Sequence, residues 1–247
     1  MQYFLDTVET IPDGVGFSYF DATHLIWLGV FVVAVFLNCL LYKRLDEKGR
    51  GRWQKIIAWL IVADEIFKDV MLIIGGRFEV SYLPLHLCSI NIFLILLHAY
   101  RPSKILSNFM YTVCIPGAIA ALLFATWTEL PVLNFMHLHS FTVHILLAMY
   151  PLVLAICGVL KPSWKQIPKC LGLLLAMVIP IYGINILLDT NFMFLISADP
   201  GNPLYWFGEH GGSHLLGFPV LITAILIVMY LPLELGRKLR KNNSSVT

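Results

Sequence analysis

The stretch "YLPLHLCSINIF", Tyr82 to Phe93, places a thiol two residues from an imidazole inside an otherwise apolar run. A thiol that loses its proton to a neighbouring base becomes a nucleophile for acyl carbonyls. Three readings of Cys88 follow: a packing thiol, a metal ligand, or a nucleophile working at a lipid surface. His86 is not the base, because side chains two apart on a helix point to different sides. Asn91 and Pro84 are the residues that share the face of Cys88. A base must come from another helix. His144 lies in a later apolar run, as deep from its start as Cys88 is in its own, ~8 Å at 1.5 Å per residue. Asn185 and Tyr182 rise to the same level from a further run, and His24 stands near the outer end of the first. An Asn or Tyr on a nearby helix is the kind of group that stabilises an oxyanion. The plain alternatives stay open. A buried thiol packs as a small hydrophobe, and a histidine such as His144 is often satisfied by hydrogen bonds between helices.

A second set is "IVADEIFKDVM", with Asp64, Glu65, Lys68 and Asp69 near the middle of an apolar run. Each costs roughly 2.5–3.5 kcal/mol at a transmembrane helix centre. The spacing predicts an Asp64–Lys68 pair along one face and leaves Glu65 and Asp69 in need of other partners. The group reads as a polar seam between helices, as a proton or ion relay, or as support for a neighbouring site. Histidines allow a metal reading as well. His137, His139, His210 and His214 with Glu209 could gather near His24, His86 and His144, and imidazole with carboxylate suits zinc. No spacing matches a helix-borne HExxH or a Cys/His finger, so the sequence calls for no cofactor. Phosphate-binding loops, GxSxG elbows and dinucleotide fingerprints are not found.

The elements that must carry these residues are membrane helices. Of 247 residues 58% are hydrophobic and 13% charged, and the mean hydropathy is +0.78. That balance excludes an ordinary soluble domain. The few basic runs flank apolar segments and give no tract suited to nucleic acid. Five cysteines without a CxxC pair do not make a disulfide framework. The amino-terminal segment is short, acidic and turn-rich, and does not read as a cleaved signal. A span needs about 20 apolar residues, and the pattern predicts seven: 23–42, 55–74, 83–100, 105–126, 139–160, 167–188 and 214–235. Lys and Arg concentrate in alternate connections ("KRLDEKGRGRWQK", "RPSK", "KPSWKQIPK", "GRKLRK"). The positive-inside rule then gives an outside N-terminus and a cytoplasmic C-terminus. The expected fold is an all-α polytopic membrane protein, one domain over 1–247. The sixth connection, with its "ADPGNP" turn cluster and its aromatics, reads as a lid or interfacial segment. The tail "KNNSSVT" reads as frayed.

Several pieces resemble a known family. "LPLHLCSI" resembles the "LPLxLC" signature of YwaF-like bacterial membrane proteins, relatives of the eukaryotic transmembrane protein 164 family. "SFTVH" resembles that family's Ser/His segment, "INILLDTNFMFLISADPGNPLYWFG" its "N…TNYMFL…P…LLDxLG" stretch, and "YFDATHLIWL" the start of its first span. The resemblance covers essentially the whole chain. It implies a seven-helix bundle similar to that of the androgen-induced-gene lipid hydrolases. The family's eukaryotic branch is described as a phospholipid acyltransferase with a cysteine nucleophile and a histidine. Carried over, these roles fall on Cys88 and His144, with His24, Tyr182, Asn185 and Asn191 as positioning candidates. After "PLYWFG" the chain reads "EHGGSHLLG" where the family pattern has an aromatic "PWPW"-like run. The expected function is a lipid acyltransferase or lipid hydrolase of the cell membrane, with membrane lipids as substrates. A transporter or channel lined by the charges of the second span, and a helix bundle without chemistry, are the alternatives.

Overall fold

The computed structural model describes residues 2–198 and 202–244, with side chains placed through Lys238. The described chain is helical: α1 (Ala22–Arg44), α2 (Glu47–Ile74), α3 (Leu87–Tyr100), α4 (Lys104–Phe109), α5 (Ile115–Leu123), α6 (Phe135–Ile156), α7 (Ile167–Leu188), α8 (Pro203–Gly211) and α9 (Gly217–Ser244). Five helical segments are long and apolar enough to cross a membrane: 22–44, 104–123, 135–156, 164–188 and 214–238. The other two predicted spans differ for physical reasons. α2 has the length but carries the charged group, and α3 is a shorter apolar helix of 14 residues. The chain is a membrane protein. It packs as two compact units, 1–162 and 163–247, each described by itself.

In the first unit α6 is the hub. Of its most apolar window 67% is buried, against 11% for α1, and α1, α2, α3 and α5 all pack against it. Asn134 starts this helix. Its Oδ1 accepts from the backbone N–H of Met136 at 2.9 Å and of His137 at 3.2 Å, the cap that satisfies orphan first-turn donors. The helix therefore begins at Phe135, four residues before the predicted start, and takes in His137 and His139.

Proline shapes the middle of the bundle. Pro151 has no N–H to donate to the Leu147 carbonyl one turn back. The Cys114 thiol takes its place, with Sγ 3.4 Å from Leu147 O. Pro116 acts similarly on its own segment. It cannot bond the carbonyl of Thr112, and residues Met110–Cys114 adopt a π-helical turn, closed by Ile115 N–H to Met110 O. The predicted span 105–126 is accordingly two helices joined by a π-turn. Freed backbone groups inside a membrane segment must be repaired in this way.

The acidic amino-terminal segment is a docked strap. Asn134 Nδ2 donates to Tyr3 O at 2.7 Å and to Asp6 O at 2.8 Å. Phe135 N–H donates to Phe4 O and Phe17 N–H to Thr128 O. Asp21 ends the strap and caps α1, accepting from His24 N–H at 2.9 Å. This bond and a second from Ser18 N–H hold its exposed carboxyl below the usual carboxylate range. Asn134 thus serves the strap and the α6 cap together. Asn134→Ala is expected to cost about 2–4 kcal/mol, the sum of a lost cap and two lost hydrogen bonds, read as a lowered unfolding midpoint in nanodiscs.

In the second unit α7 covers the range the sequence predicted, and its end is held by Asn185. The side chain accepts from Phe192 N–H at 2.8 Å and Thr190 Oγ1 at 3.0 Å, and donates to Phe192 O at 3.0 Å. That clamp holds a turn in which Asp189, Met193 and Phe194 all have positive φ, a conformation non-glycine residues adopt only when their surroundings impose it. Asn191 braces the next stretch through Ile196 N–H, Ser197 N–H and Ser197 O. The expected lid contains the nine-residue α8, packed on 214–216 and α9. Within the "ADPGNP" cluster, Asp199, Pro200 and Gly201 lie outside the described residues. The expected frayed tail is helical through Ser244, and 245–247 lie outside the described residues. Basic residues near a helix C-terminus complement its dipole and carry the helix on.

Candidate functional site

Cys88 is the second residue of α3. Pro84 and a tight turn, with Leu85 N–H 2.7 Å from Leu83 O, keep 83–86 out of the helix. The thiol therefore sits in the first turn, not five residues down a regular helix. First-turn N–H groups have no intrahelical acceptor. His86 occupies the N-cap position without capping them through its side chain. The same turn thus presents a thiol and donors suited to an anion. Cys88 is half-buried and packs against the main core. Glu65 and Lys68 lie within electrostatic range on one side, and Cys114 on another.

α2 delivers the charged group to this neighbourhood, packed against both α3 and α6. Lys68 Nζ lies 2.6 Å from Glu65 Oε1, 3.2 Å from Asp69 Oδ1 and 3.3 Å from Tyr82 O. The predicted Asp64–Lys68 pair does not form. Lys68 is taken by the carboxylates three residues before and one after it, and Asp64 turns to α6. There His139 Nδ1 is 2.9 Å from Asp64 Oδ2, and His139 Nε2 is 3.7 Å from Glu65 Oε2. The first contact is close but out of line, so both atoms lack a proper hydrogen bond. Glu65, Lys68 and His139 are each 6% exposed.

His144 stands on α6, its Nδ1 2.7 Å from Ser140 O. A carbonyl only accepts, so Nδ1 carries the hydrogen, and the neutral ring keeps its lone pair on Nε2. Trp127 stacks on the ring, with centroids 5.2 Å apart at 14°. This is the tautomer and fixed orientation a general base requires. Among the described residues no hydrogen bond joins Cys88 to a histidine.

Other candidates are committed elsewhere. His24 is fully buried. Its Nδ1 accepts from Phe20 N–H at 2.9 Å and its Nε2 donates to Leu122 O at 2.7 Å. Neither nitrogen is left for a substrate, so its role is to tie α1 to α5. Asn185 and Asn191 spend their amides on the turn after α7, and Tyr182 is exposed on that helix. Asn185→Ala is expected to loosen this turn, costing about 2–3 kcal/mol for three lost hydrogen bonds. Faster hydrogen exchange confined to 189–197 would read it. Of the histidines in the metal reading, His137 is committed in the same way. His137 accepts from Trp27 Nε1 and donates to Leu130 O. His210 and His214 bond to Trp206 O and Phe194 O. Among the described residues no three His, Cys, Asp or Glu side chains converge to hold a metal ion.

Sequence reasoning gave His139 no part in acid–base chemistry, because its acidic partners lie on another helix. The available signal was an unmatched group of carboxylates in one span and a surplus of histidines in another. Trp127 gave no signal, since an aromatic residue in a connection has no spacing to betray a stacking partner.

Neither curated proteins nor solved structures yield a match to the chain. The sequence model of the TMEM164 family matches residues 19–230, from the end of the strap well into α9 and across Cys88, the α2 charges and both α6 histidines. The chain belongs to the TMEM164 family.

Proposed function

We propose that this protein turns over the acyl groups of membrane lipids through a thioester on Cys88. The observation that carries the reading is the position of the thiol in the uncapped first turn of α3. A tetrahedral oxyanion formed at Cys88 would meet backbone N–H donors already oriented by the helix. In the proposed cycle the Cys88 thiolate attacks the ester carbonyl, and the oxyanion collapses with loss of the lipid hydroxyl. His144 takes the thiol proton on Nε2 and returns it to the leaving oxygen. Water or a second lipid hydroxyl then attacks the thioester, giving hydrolysis or transfer. Catalytic hydrogen bonds that are open without substrate tighten in its complex, and the Cys88–His144 step is of that kind. In the topology that accompanies this reading, α2 and α3 complete seven crossings of the cell membrane. The N-terminus is outside and the C-terminus cytoplasmic, following the placement of Lys and Arg. Cys88 and His144 then face the outer leaflet.

The test is lipid mass spectrometry on the protein in nanodiscs after addition of a labelled lysophospholipid. New diacyl product means transfer, and free fatty acid means hydrolysis. Unchanged lipids with folded protein would sink the reading.

A further inference from the structure

We propose that Cys39 and Cys157 are an oxidisable thiol pair, closed by a low-molecular-weight disulfide into a reversible bond that staples α1 to the end of α6. The pair stands apart from the chemistry proposed for Cys88. α1 lies largely outside the core, with 11% of its most apolar window buried. Its buried residues are His24 near one end and Cys39 and Tyr42 near the other. Cys39 belongs to the main core cluster, and Cys157 packs against that cluster. The Cys157 thiol lies on Cys39 itself, its Sγ 4.0 Å from Cys39 O, and the two thiols are in hydrogen-bond contact. Thiols that already touch across two helices can be joined with little backbone movement.

Both sides of the contact are fixed. Cys157 ends α6, its N–H bonded to Val153 O at 2.9 Å. Gly158 follows with φ +76°, and Val159 N–H reaches back to Leu154 O at 2.8 Å, the left-handed turn that closes many helices. On α1, Asn38 Oδ1 accepts from Trp53 Nε1 at 2.9 Å. Tyr42 sets its ring edge-on to the same indole, with centroids 5.1 Å apart.

Exposure sets the order of reaction. Cys157 is half-buried beside exposed Ile156 and Gly158, whereas Cys39 is buried. Cys157, as the thiolate, attacks one sulfur of the small disulfide and releases its other half. Cys39 then attacks the Cys157 sulfur of the mixed disulfide and expels the second half. Two protein thiols are oxidised, and one small disulfide is reduced to two thiols, which carry away both protons. Cys114 is closed to this reaction, being fully buried with its S–H on Leu147 O. The new bond joins residues 118 apart in sequence, and a cross-link over so long a loop strongly restricts the unfolded chain. In the topology proposed above this end of the bundle is cytoplasmic, where such bonds are transient and redox-sensing. The pairing itself rests on the contacts alone.

The experiment equilibrates the protein in nanodiscs with oxidised or with reduced glutathione and compares wild type, Cys157→Ser and, as a control outside the pair, Cys88→Ser. Alkylation after denaturation counts free thiols, peptide mass spectrometry locates any bond, and thermal unfolding gives the midpoint. In oxidised glutathione, wild type and Cys88→Ser should each join residues 39 and 157. Their midpoints should rise by on the order of 10 °C, as a long-loop cross-link predicts, and reductant should reverse both changes. Cys157→Ser should form no internal bond and show no rise. Wild type that keeps all five thiols free, a bond between other cysteines, or a lasting glutathione adduct on Cys157 overturns the proposal. A 39–157 bond that leaves the midpoint unmoved overturns it as well. If Cys157→Ser does not fold, the location of the bond and its reversal in wild type decide.

Discussion

Cys88→Ala should abolish acyl turnover, a loss on the order of 10³-fold or more as expected for removal of a nucleophile, while Cys114→Ala should retain it. The two thiols are neighbours in the bundle, and the contrast between them separates chemistry from packing. Cys114 is fully buried and spends its S–H on the carbonyl that Pro151 leaves open. Truncating it strands that carbonyl at a cost of about 1–3 kcal/mol. Cys114→Ser keeps a donor and should recover most of the loss. Cys88 is half-buried at a helix start and closes no proline-opened carbonyl, so Cys88→Ala should lower the unfolding midpoint less than Cys114→Ala does. His144→Ala should lower turnover by about 10²–10⁴-fold, the range of a lost general base. His24→Ala should act through stability, because both nitrogens of that ring bond to backbone. Lipid turnover and unfolding midpoint, measured on one set of preparations, read all five variants. Equal losses of turnover at Cys88 and Cys114 would mean that the core had been damaged and no nucleophile identified.

Gly16→Ala should be among the most destabilising single substitutions in the chain. A Cβ at this position would lie 2.6 and 2.7 Å from backbone atoms of Glu129 and closer still to the Thr128 carbonyl oxygen. Backbone cannot rotate aside as a side chain can. The strap must lift, and it loses the 2.7 Å bond from Phe17 N–H to Thr128 O as it does so. The loss should reach about 4 kcal/mol, the scale of gross disruptions. Gly14 supplies the comparison. Its φ is +81°, but nothing lies within 4 Å of an added Cβ. Gly14→Ala should cost only the left-handed penalty of about 1–2 kcal/mol. Chemical denaturation of both variants checks the ranking, and a Gly16→Ala protein as stable as Gly14→Ala would contradict the close approach.

What the sequence made legible was whatever depends on local pattern. Apolar length located α1, α6, α7 and the long final helix, and for α7 gave the same limits. Local chemistry hides more where proline or charge interrupts the pattern. Pro84 turns the start of the third apolar run into a loop, which moves Cys88 from a helix body to a helix start. Pro116 converts one expected span into two helices and a π-turn. Asn134 begins α6 early through a cap that apolar counting ignores. The candidate site was legible as residue types but not as partners. Asp64 has Lys68 four residues away and still turns to His139, because contacts between helices depend on which faces meet. His24 and Asn185 illustrate the converse. Both have the right type and depth for a site, and both are occupied by backbone groups that no spacing rule reveals.

The strap across the bundle is fastened both by main-chain groups, the carbonyls of Tyr3, Phe4 and Asp6 and the N–H of Phe17, and by the side chains of Phe4, Asp6, Phe17 and Tyr19. Carbonyls and amides are common to nearly every amino acid. A substitution profile of this segment should therefore look permissive away from Phe4, Asp6, Thr7, Phe17 and Tyr19 while its path stays fixed. A one-residue deletion that slides the carbonyls past Asn134 should be punished where alanine at the exposed positions of the strap is not. Sequence drift here would disguise a constraint that lies in the register of the backbone.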